Sequence, residues 1–273
     1  MRIKYHQILK AMYDARTTYE EELGSRHPRV AERLVDAVSI AKGMQVLDVC
    51  TGTGLVARRV ANQIGVSGRV IGIDFSEVML EQARRKSEAH GIRNIEFIFC
   101  DANSMNFEPC SFDLIFCCEG LVLLDKPMEQ LQAWNRYLRP GGIVAFTCTH
   151  ENSYFARHLQ RALQGALCVP VPAHMHQLLG TQDKILRALE SANFQLPMIE
   201  SEFSGRWKPL DQVRCDRSFI QMIFKGDSMV SDLSNDQMGR MCRDFSVKIA
   251  ETAVSNEVWE DTSLFYVHAR KVM

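Results

Sequence analysis

Three aspartates around one glycine-rich turn carry most of the chemical information in this sequence. VLDVCTGTG, Val46 to Gly54, delivers an apolar run into a turn where glycines let the backbone approach a ligand closely, and a helical pattern opens directly after it. Asp74 ends the next apolar run, 20 residues beyond Gly54. A carboxylate there can hold both hydroxyls of a ribose. Two chemistries share this pair, because G-T-G-L-V-A also satisfies the G-x-G-x-x-G/A pattern of a nicotinamide dehydrogenase. Three features separate them. Asp48 lies inside the strand just before the glycines, where it repels a pyrophosphate and attracts the ammonium of an amino-acid group. Asp101-Ala102 follows the third apolar run, placed for a carboxylate to accept a hydrogen bond from an adenine amino group. The final strand pattern, with His268 to Lys271 at its tail, reads as an antiparallel addition that a dinucleotide domain does not need.

The elements that must position these residues alternate from residue 27 onward. HPRVAERLVDAVSIA is a helix with Val30, Leu34, Val35 and Val38 as its apolar stripe. MQVLDV, RVIGID, NIEFIFC, FDLIFCC and GIVAFTCT are strands. LVARRVANQI, SEVMLEQARRKSEAHG and KPMEQLQAWNRYL are helices between them, the second capped by Ser76 and the third closed by Arg139-Pro140-Gly141-Gly142. TQDKILRALESANF is a further helix, and PMIESEFSGRW and TSLFYVHARK are the last two strands. Continuous apolar strands interleaved with amphipathic helices specify an α/β fold. It is a doubly wound, mostly parallel seven-stranded sheet with an antiparallel last strand.

Two stretches break the alternation, 150–180 and 211–257. Both are expected over the carboxyl edge of the sheet, where ligands bind in open α/β folds. The division is therefore 1–26 as an N-terminal helical segment and 27–149 as the α/β core. Residues 150–180 form a first lid insertion, and 181–210 a core helix and strand six. Residues 211–257 form a second lid insertion and 258–273 the terminal strand. Phe155, Leu159, Leu163, Leu167 and Val169 in the first insertion, with Phe219, Met222, Ile223, Phe224 and Met229 in the second, supply apolar walls for a small-molecule cavity.

The motifs VLDVCTGTG, GIDFSEVMLEQAR, FIFCDA, FDLIFCCEGLVLL and YLRPGGIVAFT, in that order, resemble the class I S-adenosylmethionine-dependent methyltransferases. They are similar in particular to the ubiquinone/menaquinone-biosynthesis type that acts on small molecules. YDARTTYEEELG near the N-terminus resembles that family's tyrosine-containing segment. The resemblance implies the Rossmann-like methyltransferase fold with a lid and S-adenosyl-L-methionine as cofactor. It fades after residue 150. Carried over by position, it implies that Asp48, Cys50, Gly52 and Gly54 line the methionine end of the cofactor and that Asp74 binds the ribose. Phe75 and Met79 would flank the adenine, Asp101 and Ala102 would read its edge, and Cys117 would offer backbone beside the methionine amine. Cys50 departs from the pattern, since many relatives have glycine there.

Methyl transfer from a sulfonium is an in-line displacement with an activated donor, so the protein chiefly aligns the reactants and excludes water. A base is needed only when the acceptor keeps its proton. His150, the first ionisable group beyond GIVAFTCT, is the leading candidate, with Glu119 and Glu151 as rivals and His174 and His176 in the lid. His174-Met175-His176 lacks a third ligand at informative spacing, so no metal is expected. The expected reaction is O-methylation of a small, partly apolar metabolite. C- or N-methylation, a nicotinamide-dependent oxidoreductase and a non-catalytic cofactor-binding homologue are the alternatives.

Bulk properties bound this reading. The 273 residues carry a net charge of −1, with basic and acidic residues interspersed, which disfavours nucleic acid as a partner. CCEGLVLL also stands where a nucleic-acid methyltransferase would carry an Asn-Pro-Pro-Tyr-like motif. The 9 cysteines include no C-x-x-C and sit largely in apolar runs, as reduced core thiols would. The charged N-terminus has no signal-peptide core, and the longest apolar stretch, Leu114 to Leu124, contains Glu119 and falls short of the ~20 residues that span a bilayer. A cytoplasmic protein, off the membrane, monomeric or homodimeric, is expected.

Overall fold

The computed structural model describes residues 2–21 and 25–273. In chain order the elements are α1 (Arg2–Asp14), α2 (His27–Asp36), β1 (Gln45–Val49), α3 (Leu55–Ile64), β2 (Arg69–Asp74), α4 (Glu77–Ala89) and β3 (Ile95–Phe99). Then follow β4 (Phe112–Cys117), α5 (Pro127–Tyr137), β5 (Leu138–Thr149), α6 (Ala156–Leu167), α7 (Gln182–Ser191), β6 (Phe194–Glu202) and β7 (Gly205–Pro209). The chain ends with α8 (Arg217–Ile223), α9 (Ser228–Ser231), α10 (Asn235–Ala250), β8 (Glu257–Asp261) and β9 (Leu264–Lys271).

Seven strands form one sheet in the order β3-β2-β1-β4-β5-β9-β6. The pairs β3-β2, β2-β1, β1-β4 and β4-β5 are parallel. β9 runs against β5: Lys271 Nζ reaches the Leu138 carbonyl at one end, and the His150 amide reaches the Ser263 carbonyl at the other. The strand order reverses beside β1, so the chain leaves β1 and β4 on either side of a crevice at their carboxyl ends, where open α/β sheets bind ligands.

The local signals explain the α/β half. Val46, Leu47 and Val49 of β1 are fully buried, as expected of a strand covered on both faces. Val30, Leu34 and Val35 are buried on the inner face of α2, which ends at Asp36, short of the expected stretch; Val38 is buried just beyond it. Ser76 caps α4 by accepting from the Met79 amide at 3.2 Å.

Two details differ from the sequence reading. Arg139-Pro140-Gly141-Gly142, read as a closing turn, belongs to β5. The pairing jumps from Phe112↔Leu138 to Leu114↔Ile143, and Gly141 takes φ +76° inside that irregularity. The stretch read as one strand, PMIESEFSGRW, is two. β6 stops at Glu202, and β7 pairs with β8 in a separate antiparallel ribbon. Gly205 makes that ribbon possible, since a Cβ there would lie 2.5 Å from the Trp259 ring.

The chain divides into two compact units. One holds Lys10–Cys148, Ile185–Glu200 and Tyr266–Met273, and carries the glycine turn. The other holds Met1–Leu9, Thr149–Lys184 and Ser201–Phe265. In it α6 packs on α10, with Leu159 and Leu163 fully buried and the Phe155 and Phe245 rings edge to face at 6.4 Å. No helix among the described residues is long and apolar enough to cross a membrane.

Candidate active site

β1 carries Asp48 into the core, where it is 1% exposed. Its Oδ2 accepts from the Thr51 hydroxyl at 2.6 Å and from the Ala57 amide at 3.1 Å. No basic side chain among the described residues pairs with it. Burial therefore dominates and pushes the carboxyl up to about 7. A buried carboxylate without a cation fits an incoming ammonium.

The turn that follows needs three left-handed residues, Cys50, Gly52 and Gly54, at φ +58°, +56° and +80°. Cys50 holds a left-handed conformation that glycine adopts without strain, at a cost of roughly 1–2 kcal/mol. The two glycines serve different ends. A Cβ on Gly54 would meet Phe97 at 3.1 Å and Ala83 at 3.2 Å, so this position is fixed by packing. A Cβ on Gly52 would meet nothing within 4 Å, so this position borders open space. Asp74 ends β2 beside them. Its Oδ2 accepts from the Gly52 amide and its Oδ1 from the Ser76 amide, both at 2.9 Å. Burial raises this carboxyl to about 6 against the hydrogen bonds of the Ser76, Gly52 and Phe75 amides.

A cavity of about 40 Å³ opens on the turn, lined by Tyr19, His27, Asp48, Cys50, Gly52 and Glu119 among others. Thr53, also on its wall, has a buried hydroxyl with no hydrogen-bond partner. Glu119 follows β4 at φ +56°, and its amide donates to Thr147 Oγ1 at 2.8 Å. Its Oε1 accepts from Arg26 at 2.5 Å, and its Oε2 lies 2.6 Å from His27 Nδ1. Burial alone would raise this carboxyl, but the hydrogen bond from His27 and the charge of Arg26 outweigh it and hold it below its ordinary value. Glu119 is thus an ionised, fully engaged carboxylate, and not a free base.

The remaining residues expected at the cofactor lie along the same edge. Met79 and Ala102 are buried, and Phe75 is half-buried. Asp101 Oδ1 accepts from the Asn103 amide at 2.8 Å, which orients the carboxylate after β3. Cys117 is fully buried, and its hydrogen bond with Cys50, together with burial, pushes the Cys50 thiol well above its usual range.

The sequence reading missed the residues that close this edge. Asp14 accepts from Ser76 Oγ at 2.6 Å, Gln82 donates to the Arg16 carbonyl at 3.0 Å, and Arg58 binds Glu20 through both carboxylate oxygens at 2.6 and 2.8 Å. Burial and the Glu119 charge raise the Tyr13 hydroxyl above its ordinary value. Glu22–Gly24 of the tyrosine-containing segment lie outside the described residues. In the sequence His27 reads only as the start of a helix, and the tyrosines close to it are the signal that marks it.

His150 and Glu151 belong to the other unit. The His150 ring stacks on Phe265 at 4.0 Å and meets Phe203 edge-on at 5.2 Å, with Nε2 buried. Burial lowers its pKa against the pull of Asp261. Glu151 bridges Arg157 at 2.5 Å and Lys184 at 2.9 Å. His174 is fully buried with neither ring nitrogen hydrogen-bonded among the described residues, and burial drops it to about 4.

Comparison with known proteins agrees with this geometry. Residues 46–142 match the family described as a methyltransferase domain. Demethylmenaquinone methyltransferase of Staphylococcus aureus (strain MRSA252) is 36% identical over 119 residues, 44% of this chain and 48% of that protein. The chain thus spans about half the length of the curated relatives it matches. A putative methyltransferase from Bacillus halodurans shares the fold at TM-score 0.61 and 18% identity, covering 89% of this chain and 99% of that one. Haemonchus contortus phosphoethanolamine N-methyltransferase 2, solved with S-adenosyl-L-methionine, does so at 0.54 and 18%, covering 90% of this chain and 52% of its own. Residues 46–142 are thus similar to a methyltransferase domain, and about half of the chain is similar in sequence to curated demethylmenaquinone methyltransferases.

Proposed function

We propose that the protein transfers a methyl group from S-adenosyl-L-methionine to a small, partly apolar acceptor. One observation carries the reading: Asp48 is a buried carboxylate without a cation, and it sits beside a turn whose Gly52 faces open space and ties to Asp74. When bound, the cofactor supplies an electrophilic methyl on a cationic sulfur. Asp48 holds its ammonium, with Cys50, Gly52, Gly54 and the backbone of Cys117 along its methionine end. Asp74 holds the ribose hydroxyls. Phe75 and Met79 flank the adenine, and Asp101 and Ala102 read its edge. A dinucleotide pyrophosphate in the same place would confront Asp48.

The acceptor atom in this reading is an oxygen, as in a phenol or hydroquinone. Transfer to a ring carbon is the second reading, favoured by curated relatives that carry the name demethylmenaquinone methyltransferase. The helical stretches 150–180 and 211–257 act as the lid. The protein works as a monomer or homodimer in a reducing cytoplasm, without nucleic acid. A screen of phenols, hydroquinones and carboxylic acids with methyl-labelled cofactor tests this, and NMR of the product locates the methyl. Transfer only to tRNA or to protein would contradict it.

A further inference from the structure

Resting on the methyltransferase reading, we propose that His27 is the general base for the acceptor, with Glu119 as its positioning residue. Nothing in the family resemblance or the comparisons assigns a role to either. His27 opens α2 and faces the same cavity as Asp48 and Gly52. Its Nδ1 lies 2.6 Å from Glu119 Oε2, while Tyr19 stacks on the ring at 4.2 Å with its planes 16° apart. The Tyr19 hydroxyl also lies 3.1 Å from Nδ1, but the carboxylate at 2.6 Å is the nearer partner and can only accept, so we assign the hydrogen to Nδ1 and the lone pair to Nε2. No described residue hydrogen-bonds Nε2. This is the carboxylate–imidazole arrangement of an activated base, in which the acid fixes tautomer and ring orientation and stabilises the imidazolium.

In the step, the acceptor oxygen uses one lone pair to bond the methyl carbon, and the carbon–sulfur pair stays on sulfur. The acceptor's proton passes to Nε2. Positive charge therefore moves from sulfur to imidazolium, where Glu119 meets it. The acceptor class is one that retains its proton at neutral pH, a phenol or hydroquinone. The charged and titratable groups facing His27 are Glu119, Arg26, Tyr19, Asp48, Cys50 and Cys118. Arg26 shares Glu119 with the ring, at 2.5 Å from Oε1.

Two measurements test the base. Histidine-labelled ¹⁵N NMR, assigned with His27→Gln, reads the neutral tautomer of His27 in the free protein. Nδ1–H supports the proposal, and Nε2–H overturns it without any acceptor. Kinetics with 1,4-dihydroxynaphthalene, or the most active compound of the screen, read turnover against pH. His27→Gln should lower kcat by at least about tenfold, since positioned bases contribute roughly 10²–10⁴-fold. Cofactor affinity should stay within about twofold, and added imidazole should restore part of the rate to His27→Ala. Glu119→Gln should lower kcat more than it changes KM, and Glu119→Asp, which keeps the acceptor for Nδ1–H, should recover part of that loss. Full turnover and an unchanged acid limb in His27→Gln would overturn the proposal, as would the same losses in His150→Ala alone. Failure of the unmodified protein to bind S-adenosylhomocysteine would instead remove the methyltransferase reading.

Discussion

The Gly52 amide donates to Asp74 Oδ2 at 2.9 Å, so the glycine turn and the end of β2 are joined through the carboxylate expected to hold a ribose. The same side chain therefore serves the fold and the ligand. Asp74→Ala should weaken binding of S-adenosylhomocysteine by about ten- to a hundredfold, the worth of one charge-assisted hydrogen bond at about 1.5–3 kcal/mol. It should also lower thermal stability. Asp74→Asn, which keeps one acceptor oxygen, should lose less of both. Calorimetry and thermal unfolding on the two variants check this, and unchanged affinity in folded Asp74→Ala would contradict it.

The two glycines of the turn should separate in a mutational test. Gly54→Ala meets Phe97 and Ala83 and has φ +80°, so its main expected effect is loss of stability, about 1–3 kcal/mol. Gly52→Ala has room for its methyl and costs about 1–2 kcal/mol for its backbone alone. That methyl stands where the ligand is expected, so cofactor affinity should fall at least tenfold. Cys50→Gly should stabilise the protein by relieving φ +58°. Denaturant titrations paired with calorimetry distinguish the three.

How far the sequence carried these assignments depended on distance along the chain. The glycine turn, Asp74 and the Ser76 cap lie within one β-α-β stretch, and their types and spacing alone identify them. The His27–Glu119 pair joins residues 92 apart, and neither belongs to a periodic pattern that would mark it. The β7-β8 ribbon was equally illegible: Gly205 reads as an ordinary turn glycine until Trp259, from a distant segment, lies against it. Cys50 was legible as a departure, but its left-handed backbone was not.

Stability should depend on pH through the aspartates of the site. Burial raises Asp48 to about 7 and Asp74 to about 6, so the folded protein keeps protons that the unfolded chain releases near pH 4. Their contribution to stability is full below about pH 4 and is lost as pH rises through 6 to 7. His174, lowered to about 4, has the opposite sign between about 4 and 6.5. The diagnostic quantity is thus a difference: from pH 5 to 8, Asp48→Asn should lose less stability than the parent. Saturating S-adenosylhomocysteine, whose ammonium neutralises Asp48, should flatten the parent's profile in the same way. Parallel profiles for parent and variant would contradict the burial of an uncompensated carboxylate.

The clasp of Arg58 and Lys86 on Glu20 holds residues 15–21 beside the site, where a cavity of about 40 Å³ lies at the turn. That volume admits little more than water, so entry of an adenosyl ligand there is expected to displace residues 15–21. Glu20→Gln should speed association of S-adenosylhomocysteine several-fold in stopped-flow measurements, with a stability loss of about 1 kcal/mol. An association rate equal to the parent's would contradict gating by this segment.

The most direct test of the cofactor assignment is calorimetry of the unmodified protein with S-adenosylhomocysteine and, separately, with NAD. On the proposed assignment Asp48, Asp74 and Asp101 would meet an amino-acid ammonium, a ribose and an adenine amine, and Asp48 would oppose a pyrophosphate. The expected result is saturable one-to-one binding of S-adenosylhomocysteine, weakened in Asp48→Asn, with no heat from NAD. Saturable NAD binding together with no response to S-adenosylhomocysteine would contradict it.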